Sequence, residues 1–278
     1  MNNYFSKRHL GFTLVEMAIV LVILGFVLSA LLLPLRAQRE QVFLAQTNAT
    51  LETAKQALLG YAQRNGRLPC PATVASQGRE SPLGGTVAAT PNCAQNGLGF
   101  LPAATLGIQP VNAQGLAVDG WNNPIRYAVT QNSSVVIVNP GTPDFTSNIA
   151  DNIATPLVNE ADGMNALSIV NLTPDLRVCL TSIGITAIAC SAAAPEINYS
   201  INNAVAVIYS LGATGALAIG GADETANLND ADANGVIDDG VFISHGPVGT
   251  VGNEFDHLVT WISPFVLHNA MIQAGQLH

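Results

Sequence analysis

Charge is scarce in this sequence. Across 278 residues only 10% are Asp, Glu, Lys or Arg, and the basic side chains number 10 against 19 acidic ones. A net charge of −9 and an isoelectric point near 4.8 leave no basic face for neutralising phosphates, so a nucleic-acid partner is not expected. Cysteine is sparse too, and its four positions form no close Cys-x-x-Cys pair, which removes the usual zinc arrangements. The chain has no G-x-S-x-G elbow, no H-E-x-x-H helix and no P-loop, so the common handles of hydrolytic and phosphoryl-transfer chemistry are missing. Its histidines are scattered: His9 stands near the N-terminus, while His245, His257, His268 and His278 lie towards the C-terminus without metal-ligand spacing. An enzyme is therefore not expected, and no cofactor is required. The absence of internal repeats and of a second long apolar run gives no support to a pore or transporter.

Apolar sequence is present in quantity, at 49% of the chain, and it is concentrated at one end. Lys7, Arg8 and His9 precede an apolar run over residues 12–35 that contains one charge, Glu16. As a helix this run would measure about 36 Å, enough for a hydrocarbon core of about 30 Å. It is longer than the apolar region of a secretory signal peptide, and no Ala-x-Ala-like site follows it. Basic residues before the span predict a cytoplasmic leader and a translocated body. A carboxylate inside such a span costs about 2.5–3.5 kcal/mol at mid-membrane and calls for a partner. Cleavage after Gly11 would create one, a free α-amine on Phe12, and a neighbouring copy could supply it; equally, Glu16 could sit at the headgroup level and stay hydrated or protonated.

Gly11-Phe12-Thr13-Leu14-Val15-Glu16, with the basic leader before it and the apolar helix after it, resembles the prepilin signature of type IV pilins and type II secretion pseudopilins. The resemblance implies that prepilin peptidase cuts after Gly11 and methylates Phe12, and that Glu16 pairs with a neighbouring subunit's N-terminus during assembly. It further implies other pilin or pseudopilin subunits and the bacterial inner membrane as partners. The chain would be single-pass with a periplasmic C-terminal body, and would enter a cell-surface filament after assembly.

Beyond Pro34, where a kink is expected, the pattern becomes an amphipathic helix to about residue 65. Leu44, Leu51 and Leu58 recur at seven-residue intervals with Ala54 and Tyr61 on the same face, and Gly66 and Pro69 end the run. Residues 66–120 are rich in turn formers, and short strands are expected at 123–130, 134–139, 166–173, 204–211 and 240–244. The segment from Asp119 to Tyr127 is similar to the Asp-x-Trp-Gly-x-Pro turn and strand of pseudopilins, with Asn122 standing where that turn has glycine and Trp121 expected as a core anchor. Pro264 is placed to begin a C-terminal amphipathic helix that closes the core.

The fold class expected is α+β: a long bent N-terminal helix packed on a mostly antiparallel sheet in a loop-rich, disulfide-stapled body. The divisions are a leader at 1–11, a membrane or filament-core helix at 12–35, its amphipathic continuation at 36–66, and an extracytoplasmic body at 67–278. All four cysteines lie in the translocated part, which reads as two disulfides. Three pairings are open, and proximity favours Cys70 with Cys93 and Cys179 with Cys190. A calcium reading falls on Asp230, Asp232, Asn234, Asp238 and Asp239, whose start matches the alternating oxygen ligands of a calcium loop. The twelfth position is Val241 rather than an acid, so the loop is broken as an EF-hand. The sequence thus reads as a minor pilin or pseudopilin, with a membrane-tethered, calcium-dependent binding or adhesion module as the alternative.

Overall fold

The computed structural model describes residues 11, 13–85, 93–130, 145–147, 164, 174–191, 198–215, 221–228, 240–250 and 252–277, the side chains of 30–37 and 95–96 excepted. The chain divides into two units, Met1–Leu44 and Ala45–His278. Helix α1, Leu14–Asn65, contributes to both and is helical through Pro34. In the first unit every described side chain from 13 to 29 is exposed. A helix that is apolar all round has no stable exposed state in water, which marks this stretch for lipid or for other helices.

In the second unit α1 buries one stripe: Thr47, Leu51, Ala54, Leu58 and Ala62, spaced by three or four residues. It stops at Gly66, whose φ of 70° is the left-handed conformation that a glycine adopts freely after a helix. The stripe lies in a core with residues of a four-stranded antiparallel sheet ordered β1 (Leu98–Phe100), β2 (Arg126–Val129), β5 (Ala206–Ser210) and β9 (Leu258–Ile262). Pairing of Tyr127 with Ile208 and of Val207 with Trp261 sets its register. The C-terminal helix α4, Pro264–Gln273, adds Leu267 and Met271 to the same core.

The side-chain period of two explains why β5 is buried at every position. Ala206 and Ile208 face α1 and α4, while Val207 and Tyr209 join a second core with Leu176, Val178 and Phe242. That second core belongs to a three-stranded sheet ordered β4 (Tyr199–Ala204), β3 (Leu176–Cys179), β6 (Val241–Ile243). The β3–β6 pair is parallel, whereas the other strand pairs among the described residues are antiparallel. A hairpin, β7 (Val248–Thr250) and β8 (Asn253–Phe255), completes the strands among the described residues. Short helices α2 (Ala103–Leu106) and α3 (Ala222–Ala226) sit in connections.

Mixed helix and antiparallel sheet with two disulfides is therefore the architecture, and a second sheet stands where the sequence pointed to one. Strands expected at 123–130, 204–211 and 240–244 are found as β2, β5 and β6, whereas those at 134–139 and 166–173 lie outside the described residues. Trp121 is half-buried and is not a core anchor; Ile125 and Tyr127 hold that place, because the turn carries Trp121 to the rim. Asn122 takes φ 70°, the left-handed state anticipated from its position in the turn.

Candidate functional site

The start of α1 is organised around Glu16. Its Oε2 accepts from the Thr13 backbone N–H at 2.8 Å and from Thr13 Oγ1 at 2.8 Å, while Thr13 Oγ1 accepts from the Glu16 N–H at 3.2 Å. This reciprocal capping box satisfies donors that the first helical turn leaves orphaned. Gly11 is exposed just before it, and Phe12 lies outside the described residues. Among the described residues no helix is long and apolar enough to cross a membrane. The described side chains of the apolar run, 14–29, cover about 24 Å of axis, less than a hydrocarbon core of about 30 Å.

Disulfides join Cys70 to Cys93 and Cys179 to Cys190, the two connections nearest in sequence. Beside the first, the buried pair Arg67–Glu80 is bidentate at 2.7 and 2.8 Å. Glu80 also accepts from Tyr61 Oη, Cys70 N and Gly84 N, so its buried charge is met on every side. Burial and the Glu80 charge push the Tyr61 hydroxyl up to about 12. The Asp119 turn is built similarly: Oδ1 accepts from the N–H groups of Trp121 and Asn123, and Oδ2 from Ser210 Oγ at 2.6 Å. Burial nevertheless holds Asp119 above the usual carboxylate range. Gly120 N–H donates to Thr47 Oγ1 at 2.9 Å, tying the turn to α1.

The five calcium candidates Asp230, Asp232, Asn234, Asp238 and Asp239 lie outside the described residues. Val241, the twelfth position of that loop, is fully buried in β6. The structure gathers polar side chains that the sequence did not single out as a group. Glu224, Asp256 and His257 place donor atoms within 4.8 Å of one another, a spacing that fits a metal. The imidazole does not fit. Asn227 Oδ1 accepts from Ile243 N–H at 2.6 Å and its Nδ2 donates to Ile243 O at 2.9 Å, which fixes the amide's orientation. The remaining Nδ2 proton then points at His257 Nδ1, 3.1 Å away, so Nδ1 accepts and Nε2 carries the ring proton. Neither nitrogen has a lone pair to offer a cation. Burial lowers His257 to about 4, in keeping with a neutral ring. Glu224 accepts the Asp256 N–H at 3.0 Å, and burial with the neighbouring Asp256 charge raises its carboxyl. Glu224, Asn227 and His257 therefore serve as polar joints between α3 and the strands. Their signal in the sequence was faint, because nothing local pairs position 227 with 257.

Of the late histidines, His245 and His257 share Phe255 as a neighbour, with ring centroids 3.9 Å and 5.5 Å from it.

Residues 6–32 match the family described as the prokaryotic N-terminal methylation motif. No curated protein and no solved structure matches the chain. The capping box at Thr13 and Glu16, the exposed Gly11 before it and the all-round apolar helix after it fall inside the matched segment. In its first 32 residues this chain carries the N-terminal methylation signature of type IV pilins and pseudopilins.

Proposed function

We propose that this chain is a structural subunit, a minor pilin or pseudopilin, of a type IV pilus or type II secretion filament. Prepilin peptidase cuts after Gly11 and Phe12 is N-methylated. Residues 12–35 cross the bacterial inner membrane and continue past a bend at Pro34, with the body on the periplasmic side. Assembly transfers the apolar half of α1 from lipid into a bundle of like helices contributed by other subunits, and the body then decorates a cell-surface filament. The observation that carries this reading is Glu16: an isolated carboxylate within an apolar helix that lies inside the methylation motif. In a helical bundle an unpaired carboxylate is strongly disfavoured, so pairing with a neighbour's N-terminal amine sets the axial register. The size of the body suits a low-copy subunit with a tip or surface role.

The test is the mass of the N-terminus of the protein isolated from its native membrane. A mature chain beginning at Phe12 with one added methyl group is the expected result, and an intact leader starting at Met1 would overturn the reading. Calcium binding by Asp230, Asp232, Asn234, Asp238 and Asp239 is a separate proposal from their sequence. A calcium-dependent rise in melting temperature that is lost in Asp230→Asn with Asp232→Asn is its expected signature.

A further inference from the structure

His245 sits at a junction of three elements. Its Nδ1 lies 2.7 Å from Gly246 O, in the turn between β6 and β7, and its Nε2 lies 3.0 Å from Asp223 Oδ2, on α3. The other oxygen of that carboxylate, Asp223 Oδ1, accepts the Ser182 N–H at 2.6 Å, in the loop closed by Cys179–Cys190. One face of the imidazole stacks on Phe255 of β8, with centroids 3.9 Å apart and planes 28° from parallel. The helix and the β7–β8 hairpin thus meet at one ring, and the disulfide loop joins them through the Asp223 carboxylate.

The proton count of this junction is constrained. A carbonyl oxygen accepts only, so Nδ1 carries a proton. An ionised carboxylate also accepts only, so the contact at Nε2 needs a second proton between the ring and Asp223. Without it, a nitrogen lone pair faces a carboxylate oxygen at 3.0 Å, and the contact turns from attractive to repulsive. The geometry points to His245 as a pH-sensitive clasp: the doubly protonated ring locks the β7–β8 hairpin to α3 and the disulfide loop, and loss of one proton loosens the hairpin.

The surroundings favour a local device over a global one. Strands β6 and β7 carry no titratable side chain, nor does the loop 180–189. From α3 the facing charges are Asp223 and Glu224; from β8 and the turn after it they are Glu254, Asp256 and His257. Both imidazoles contact the Phe255 ring, and His257 is held neutral by burial, so His245 meets no second cation there. Burial acts to raise the Asp223 carboxyl, but its hydrogen bonds from Ser182 and His245 outweigh that and lower it, which keeps it ionised in mild acid. Besides the ring stack, the hairpin meets α3 through the Gly221 N–H donating to Glu254 O at 3.3 Å, the Asp256 N–H donating to Glu224 Oε1 at 3.0 Å just after β8, and the packing of Phe255 with Ala226, so the clasp adds to a contact that persists without it. Both His245 and Asp223 retain some exposure, 22% and 19% of their side chains, so protons can exchange with solvent.

The test is hydrogen exchange followed by mass spectrometry on the full chain in detergent at pH 5.5 and 8.0, corrected for intrinsic exchange. Protection of residues 248–255 is expected to fall roughly two- to fivefold from the lower to the higher pH, the change that a partly exposed ion pair sets. Protection of β5 serves as the internal reference for the intact core. In His245→Gln and Asp223→Asn the pH dependence of the hairpin is expected to vanish while β5 stays protected. Wild-type hairpin protection that does not change with pH overturns the clasp, whatever the variants do. So does a pH response in His245→Gln equal to that of wild type.

Discussion

Thr13 and Glu16 hold each other through three hydrogen bonds, two of them converging on a single carboxylate oxygen, Glu16 Oε2. The arrangement makes the chain's own backbone the resting partner of a charge that assembly would assign to a neighbouring amine. Glu16→Ala is expected to leave the body folded, with processing after Gly11 intact, yet to lower incorporation into filaments at least tenfold. Shear fractionation with the melting temperature of the body as control measures it. Normal incorporation of the variant would sink the assembly role, and Thr13→Val with a smaller defect would separate helix capping from pairing.

Asn227 makes three hydrogen bonds from a fully buried side chain, two to Ile243 and one to His257. Replacing it with Ala strands a buried N–H, a buried C=O and a ring nitrogen. A loss of about 2–4 kcal/mol in chemical denaturation is expected, whereas Asn227→Asp should be worse, since a buried charge replaces a donor.

Removing the Cys179–Cys190 bridge by the double Ser variant should cost about 2–4 kcal/mol, chiefly by releasing the unfolded chain. The bridge cysteines also pack with Ala226, Val241, Ile243 and Phe255, so thermal melting should show the loss even where the reduced loop stays in place. A melting temperature unchanged by reduction would contradict this.

His257 sets a pH dependence with a definite sign. Burial depresses its folded pKa to about 4, below the ordinary value of 6.5. In the unfolded chain it takes up a proton first, so stability declines as pH falls from 6.5 towards 4 and is flat below that. The full loss is on the order of 3 kcal/mol. His257→Asn should flatten this part of a denaturation-versus-pH curve, and a curve identical to wild type would show that another group is responsible.

The elements legible in the sequence were those with a long or local signal. Leu51, Ala54 and Leu58 of the α1 stripe follow from spacing, although Thr47 and Ala62 complete it and Leu44 and Tyr61 are half-buried; the start of α4 follows from Pro264, and the turn at Asp119–Asn123 is legible through its resemblance to the pseudopilin turn. Strand β3 was missed because four residues, Leu176–Cys179, give alternation too short to distinguish from a loop. Its position was fixed by pairing with β4 and β6, which are far away in sequence. The same holds for the polar cluster at α3. His245 and His257 were visible as residues, but the Phe255 ring that both contact and the Asp223 and Asn227 that bond to them are brought there by tertiary packing. The N-terminal motif sits at the other extreme, since six consecutive residues carry it.

The bond from Gly120 N–H to Thr47 Oγ1 gives α1 an angular index. Apolar stripes grip loosely: Leu51, Ala54 and Leu58 could keep most of their contact area through a small twist of the helix. A hydroxyl aimed at one amide cannot, because a shift of one residue swings it through about 100°. Tyr61 and Gln63 hold the far end of the segment by polar bonds of their own, so Thr47 sets the azimuth at its start, and a Thr47→Val variant should leave the core filled while loosening that end about the helix axis.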